Sequence, residues 1–193
     1  MKKKMTLTIR DARPDDAPFL AQCILSAMHF HDFEGAMSDR TAAIFERMVV
    51  SERRPDTLYT YAHTRVAEVD GELASALLSY PGEIYKDLRH KAFTEFWPNL
   101  AALDAESEQE TDPGEYYLDS LAVVPKYRHH GIGHALIQDG IQKGLSLGYK
   151  QIALVADADM PQLVALYESL GFTPADHRHA FGTDFLRMVY RVG

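Results

Sequence analysis

The sequence carries one cysteine and one tryptophan in 193 residues. A single thiol, Cys23, excludes an internal disulfide and any metal site built on several cysteines. Its apolar surroundings mark it as a small buried side chain. No apolar run approaches the ~18 residues of a membrane-crossing helix. The opening MKKKMTLTIR has a basic cluster with no apolar stretch behind it. That speaks against a secretory signal, and a cytoplasmic setting is the expectation. Positive charge is also short: 20 Lys and Arg stand against 28 Asp and Glu, a formal net charge of −8. Such a chain is not built to neutralise nucleic-acid phosphates, so neither nucleic acid nor a membrane is expected as a partner. The sign favours cationic small substrates. Tandem repeats and low-complexity stretches are missing too. What is present, 46% hydrophobic and 25% charged residues, fits a folded domain, and the length fits one domain over residues 1–193.

Along the chain, residues 6–10 alternate weakly as a first strand. Pro14, Asp15 and Asp16 then open a helix with Phe19, Leu20, Cys23, Ile24 and Ala27 at helical spacing. A second helix follows at 38–49, with Ser38 or Asp39 as cap and Ile44, Phe45 and Met48 as its stripe. Strand-like runs at 58–69 and 72–80 meet at Asp70-Gly71, a hairpin signal. Residues 81–114 predict a helical insert, broken at Pro98 and leaving through the acidic turn EQETDPGE. Its aromatics Tyr85, Phe93, Phe96 and Trp97 either pack on the sheet or cover a site. EYYLDSLAVV predicts a strand, 131–147 a helix, QIALVA a buried strand, MPQLVALYESLGF a helix and FLRMVYRV a closing strand. The order is that of a mixed α/β fold, a mostly antiparallel central sheet flanked by helices, with a helical insert between the third and fourth strands.

The chemistry concentrates in LAVVPKYRHHGIGHAL, residues 121–136. A strand ends at Val124, and a basic loop leads into a helix through Gly131 and Gly133. Such a junction presents unpaired N–H groups at the positive end of a helix dipole, a ready site for phosphate or pyrophosphate. Lys126 and Arg128, with His129 and His130 when protonated, add positive potential. A Walker-type loop would need GxxxxGK[ST], which the chain lacks. A dinucleotide fingerprint would need a third glycine where Leu136 stands.

Arg128-His129-His130-Gly131-Ile132-Gly133 resembles the R/Q-x-x-G-x-G/A motif of the GNAT superfamily of N-acetyltransferases. Leu121-Ala122-Val123 and Pro125-x-Tyr127 are similar to that family's fourth strand and its exit, and Leu166-Tyr167-Glu168-Ser169-Leu170-Gly171-Phe172 to its LYxxxGF segment. The resemblance implies a pyrophosphate of acetyl-coenzyme A held by the amides of His129, His130, Gly131, Ile132, Gly133 and His134, with Arg128 shaping the loop. It implies a pantetheine arm exchanging backbone hydrogen bonds with Leu121 and Val123, between a fourth and a fifth strand that splay apart. Backbone N–H around Leu121, Ala122 and Val123 would face the oxyanion, and Tyr167 would serve as acid toward the leaving thiolate.

The base is open on sequence alone. Asp119 could draw the proton directly or through a water, and Glu115 lies farther up the same strand. Simple alternation puts Asp119, Leu121 and Val123 on one face, which a bulge would undo. Val155 stands where members that act on protein N-termini often carry a glutamate, and Met160 where many members have an asparagine near the coenzyme, and both departures weaken a ribosomal-protein-type substrate assignment. Cys23 has no motif linking it to the coenzyme loop, so a covalent cysteine route has no support. The paired histidines His29/His31, His130/His134 and His177/His179 lack a ligand pattern, and no metal is expected. Glycines 140, 144 and 148 read as close packing of one helix on its neighbour. The expectation is acetyl transfer to a small-molecule or peptide amine by direct attack in a ternary complex. A coenzyme-binding sensor module without turnover is the alternative, and a nucleotide-binding α/β domain is a third reading. Monomer and homodimer are equally compatible with the sequence.

Overall fold

The computed structural model describes residues 5–96, 109–180 and 183–192. The later part of the expected insert, with Trp97 and Pro98, lies outside the described residues. The chain forms two compact units, Met1–Ser79 with Ser120–Gly140, and Tyr80–Asp119 with Ile141–Gly193.

In the first unit, β1 (Leu7–Asp11) pairs antiparallel with β2 (Thr64–Val69), and β2 with β3 (Glu72–Pro81, of which 72–79 belong here). Val69 stands opposite Glu72, so Asp70 and Gly71 form a two-residue turn with φ 51° and 87°. Asp and Gly tolerate these left-handed angles, which match the twist of a hairpin. The strand expected from residue 58 begins only at Thr64. Thr60 caps a 3-10 turn over Tyr61–His63 by accepting from the Ala62 N–H at 3.1 Å, and that turn diverts the preceding residues from the sheet. Helix α1 (Ala17–Ala27) follows a turn at Pro14–Asp16, where the Asp16 carboxylate accepts from the Arg13 N–H at 2.8 Å. Helix α2 (Asp39–Glu52) is capped by Ser38, whose hydroxyl accepts from the Thr41 N–H at 3.2 Å. Leu20, Cys23, Val66, Ala76 and Ala122 meet in the core, with Phe19 and Leu73 packed on them. Burying a side chain the size of Leu20 contributes roughly 1.5–3 kcal/mol.

In the second unit, β4 (Tyr116–Val123, with 116–119 here) pairs parallel with β5 (Gln151–Asp157). β5 pairs antiparallel with β7 (Thr183–Arg191), and β7 with β6 (Thr173–Ala180). With β1–β3 the described residues form seven strands, mostly antiparallel, in the mixed α/β arrangement expected. β6 is the strand that the hydropathy pattern does not show. TPADHRHA is polar, and among the described residues its ladder partner is β7. Helix α3 (Tyr85–Phe96) lies between β3 and β4 in sequence, and α5 (Pro161–Ser169) between β5 and β6.

Helix α4 (Ile132–Ser146) belongs to the first unit up to Gly140 and to the second from Ile141. A Cβ on Gly144 would come within 2.5 Å of Ile152 Cδ1 and 2.7 Å of Tyr116 Cδ1, so this glycine permits the close packing expected of it. Gly148 has a different job: with φ 93° it terminates the helix. Ahead of β4, buried Glu115 pairs with Arg187 of β7, and Asp112 accepts from Arg178 of β6 at 2.6 Å. This lattice anchors the segment that enters β4. No described helix is long and apolar enough to cross a membrane.

Candidate active site

The loop after β4 is built by its own backbone. His129 has φ 63° and Gly131 φ 78°, and the two alternate with right-handed or extended neighbours. Such alternation of left-handed with other residues is the backbone pattern of anion-binding nests. The Gly131 carbonyl accepts from the Ala135 N–H at 3.0 Å, which starts α4 and leaves the amides of Ile132, Gly133 and His134 without carbonyl partners in their own helix. Ile132 is buried, whereas His129, His130, Gly131 and His134 are exposed. A Cβ on Gly133 would sit 3.4 Å from Val123 Cγ2 and 3.5 Å from Leu121 Cδ2, so the helix start lies close over β4.

Charged side chains contribute less positive potential here than the sequence predicts. Lys126 forms an ion pair with Glu72, which also accepts from Tyr127 Oη at 2.7 Å. Arg128 forms an ion pair with Asp32 and holds that carboxyl below its ordinary range. Arg128 Nε donates to the Val123 carbonyl at 3.0 Å, and the His130 ring nitrogen lies 2.8 Å from the Arg128 carbonyl. Each cation thus meets a carboxylate, and Arg128 ties the loop to the end of β4. The affinity for an anion rests on the amides.

Ala122 turns its carbonyl to Ser75 Oγ at 2.7 Å, and the Val124 N–H donates to Ala74 O at 2.9 Å. The main-chain groups of Leu121 and Val123, one residue out of phase, point to the opposite edge. In the second unit the β4–β5 ladder comprises Tyr116 opposite Ile152 and Tyr117 opposite Ala153, with no further β4–β5 pair among the described residues.

In the second unit a Cβ on Gly144 would meet Tyr116, and in the first a Cβ on Gly133 would meet Leu121 and Val123. Asp119 lies on the side of Tyr117. Its carboxylate accepts from Tyr80 Oη, and the rings of Tyr80, Tyr85 and Tyr117 stand 5.8–6.3 Å apart. Tyr85 Oη donates to Glu110 at 2.8 Å. The three phenols are buried, and burial pushes each well up from its ordinary value. Glu115, the other carboxylate considered as base, is taken by Arg187 and Thr111.

Glu110 and its three tyrosines escape sequence reasoning because a turn residue nine positions before Asp119 has no periodic relation to it. Desolvation first, and then the Asp119 charge, raise the Glu110 carboxyl from 4.5 to about 7, against the hydrogen bond from Tyr85 and the Arg89 guanidinium. The folded protein keeps this proton between those values while the unfolded chain releases it. Stability contributed by the site therefore falls as pH rises through that window. Guanidinium unfolding at pH 4.5 and 7.5 should show this loss, of order 2 kcal/mol, in the wild type and not in Glu110→Gln.

Tyr167 stands on α5 with its ring half-buried and 6.0 Å from the Phe172 ring. Desolvation lifts its hydroxyl to about 12, so it is a neutral donor. Leu163 and Leu170 share its face, but Leu166 is 40% exposed, because it lies about 60° around the helix from Leu163. Cys23 is buried in the first unit's core. Among the described residues no three His, Cys, Asp or Glu side chains group as a metal site.

Residues 31–172 match the acetyltransferase (GNAT) family. The chain is 26% identical over 148 residues to N-alpha-acetyltransferase 30 of Schizosaccharomyces pombe, which covers 69% of this chain and 96% of that protein. Its fold is similar to a crystal structure described as an acetyltransferase, with TM-score 0.76 and 26% identity over 96% of this chain and 100% of the other. An N-acetyltransferase from Staphylococcus aureus shares the fold at TM-score 0.73 and 21% identity, over 94% of this chain and 99% of that one. The chain belongs to the GNAT family of N-acetyltransferases and is an acyltransferase acting on amines.

Proposed function

We propose that the whole chain works as one acetyltransferase domain that moves an acetyl group from acetyl-coenzyme A to a primary amine, by direct attack in a ternary complex. The observation that carries this reading is the exposed, alternating backbone of His129 and Gly131 running into the first amides of α4. Its chemistry suits a diphosphate, since the first amides of α4 have no carbonyl partners in their own helix and lie at the positive end of its dipole. Arg128 holds the loop through Val123 and Asp32, and Leu121 and Val123 offer main-chain groups to an extended amide-bearing tail.

The acceptor enters as an ammonium and gives one proton to Asp119, directly or through water. The nitrogen lone pair forms the C–N bond, and the oxyanion meets backbone N–H at Leu121 to Val123. As the C–S bond breaks, Tyr167 Oη donates to sulfur, and the second nitrogen proton restores the phenol. The products are the acetamide, the free thiol and one proton delivered to solvent.

Acetyl-coenzyme A at a hundred times its Kd should stabilise the folded protein by about 2.7 kcal/mol, and amines should then release free thiol. Stabilisation without thiol release across a broad amine panel would favour a sensor module. Stabilisation by NAD or ATP in its place would overturn the coenzyme assignment.

A further inference from the structure

Asp32 lies between α1 and α2, 96 residues before Arg128 in sequence and in the same compact unit. The segment around it holds it in place. His29, Phe33 and Gly35 take left-handed φ values of 59°, 38° and 88°. Such an angle is an outlier for a bulky residue, and Phe33 keeps it with its ring 6.3 Å from that of Phe19. Gln22 Nε2 donates to the His31 carbonyl at 3.1 Å, and Ser26 Oγ donates to the Asp32 carboxylate at 3.0 Å. The carboxylate fixed in this way is the ion-pair partner of Arg128. We propose that Asp32 is a positioning residue of the donor site, which withholds the Arg128 charge from the diphosphate and so loosens acetyl-coenzyme A and the product coenzyme alike. The proposal rests on the acetyltransferase reading and adds to it a residue that sets donor affinity.

Two anions compete for one cation. Arg128 opens the loop whose amides receive the diphosphate, one residue before left-handed His129. Its Nε bond to the Val123 carbonyl does not involve Asp32, so the loop keeps its tie to β4 when the carboxylate is removed. Asp32 takes a terminal nitrogen, part of the fork that suits a phosphate. A diphosphate that draws Arg128 across must first break the ion pair, and the strength of that pair is subtracted from binding. A diphosphate that leaves Arg128 in place meets a pair with no net charge. Neutralising Asp32 therefore tightens the anion in both cases. The pair itself bounds the gain. Its side chains are 39% and 55% exposed, so water and salt screen it, and the gain is limited to about fivefold. The product coenzyme carries the same diphosphate, so a free arginine here would hold the product as firmly as the donor.

The test is calorimetric titration of the full chain with acetyl-coenzyme A and with coenzyme A, at low and at high salt. At about 50 mM salt Asp32→Asn should bind both about fivefold more tightly than the wild type, with the ratio of the two constants unchanged. At about 500 mM salt the gap should shrink to less than about twofold. Asp32→Ser, a second neutral variant, should repeat the gain, and Asp32→Glu, which keeps the charge, should stay within about twofold of the wild type. Adding Arg128→Gln to Asp32→Asn should remove the gain. Asp15→Asn makes the same change of net charge on an exposed turn residue and should leave both constants as they are. A purely structural Asp32 would weaken binding on removal and leave its salt dependence alone. Unchanged or weaker binding in the neutral variants overturns the proposal, as does an equal gain in Asp15→Asn or a gain that survives Arg128→Gln or high salt. Each of these leaves the coenzyme assignment standing. If the wild type binds neither compound, the failure lies in the functional reading itself.

Discussion

Gly131→Val lowers affinity for acetyl-coenzyme A by at least about a hundredfold while the protein stays folded, a loss of about 2.7 kcal/mol of binding free energy. Crowding is not the cause, because a Cβ at this position would meet nothing within 4 Å. The cause is the backbone. At φ 78° a β-branched residue is an outlier, and holding it there costs of order 1–3 kcal/mol. The loop relaxes by turning its peptide planes, and each amide that leaves the anion forfeits a charge-assisted hydrogen bond of about 1.5–3 kcal/mol. Gly133 supplies the control. Its added Cβ would rest at ordinary contact distance from Val123 and Leu121 and has no positive φ to satisfy, so Gly133→Ala should keep the Kd within a few-fold. That contrast also gives a physical reason for the motif's tolerance of alanine at its second glycine position alone. Isothermal titration of both variants, with thermal unfolding alongside, decides it, and a normal Kd for Gly131→Val removes the loop from the donor site.

Features that depend on near neighbours in sequence could be read without the fold. The Asp70-Gly71 turn, the Ser38 cap, the Pro161 helix start and the Gly131–Gly133 junction each follow from the conformational preferences of one or two residues. β6 could not be read that way. Its polar residues extend because β7 offers a ladder, a tertiary effect that overrides propensity. The same holds for the loop cations. Lys126 and Arg128 look like anion ligands until the fold brings Glu72 and Asp32 to them from 54 and 96 residues away.

The acidic cluster is half legible in the sequence. Asp119 stands out as a carboxylate on the strand that leads to the coenzyme loop, but its facing is open in sequence, and the hydrogen bond from Tyr80, whose ring packs on Tyr117, sets it. In the sequence Glu110 is one charge of the acidic turn EQETDPGE. It comes beside the tyrosines of Asp119 because Arg178 grips Asp112 and the Gln109 carbonyl, fixing the turn that carries it. No short-range pattern encodes an arrangement held by ion pairs across 66 residues.

Tyr167→Phe should lower kcat by about a hundredfold and leave the donor Kd within about twofold, at the low end of what general acids supply. The size follows from the proton affinities. A phenol held at about 12 is a poor acid toward a thiolate whose conjugate thiol titrates near ~8.5, and complete transfer before C–S cleavage would be uphill by about 5 kcal/mol. The hydroxyl therefore acts as a hydrogen-bond donor that strengthens as charge develops on sulfur, with the proton following as the amine gives up its own. Two consequences distinguish this from a packing role against Phe172. Because Tyr167 stays neutral far above physiological pH, the variant should lose rate uniformly across pH 6–9 without deleting either limb of the pH profile. Its deficit should also shrink with acyl thioesters of more acidic thiols, which need less help to leave. A variant that turns over at the wild-type rate would make Tyr167 a structural neighbour of Phe172 and leave the thiolate to be protonated by solvent.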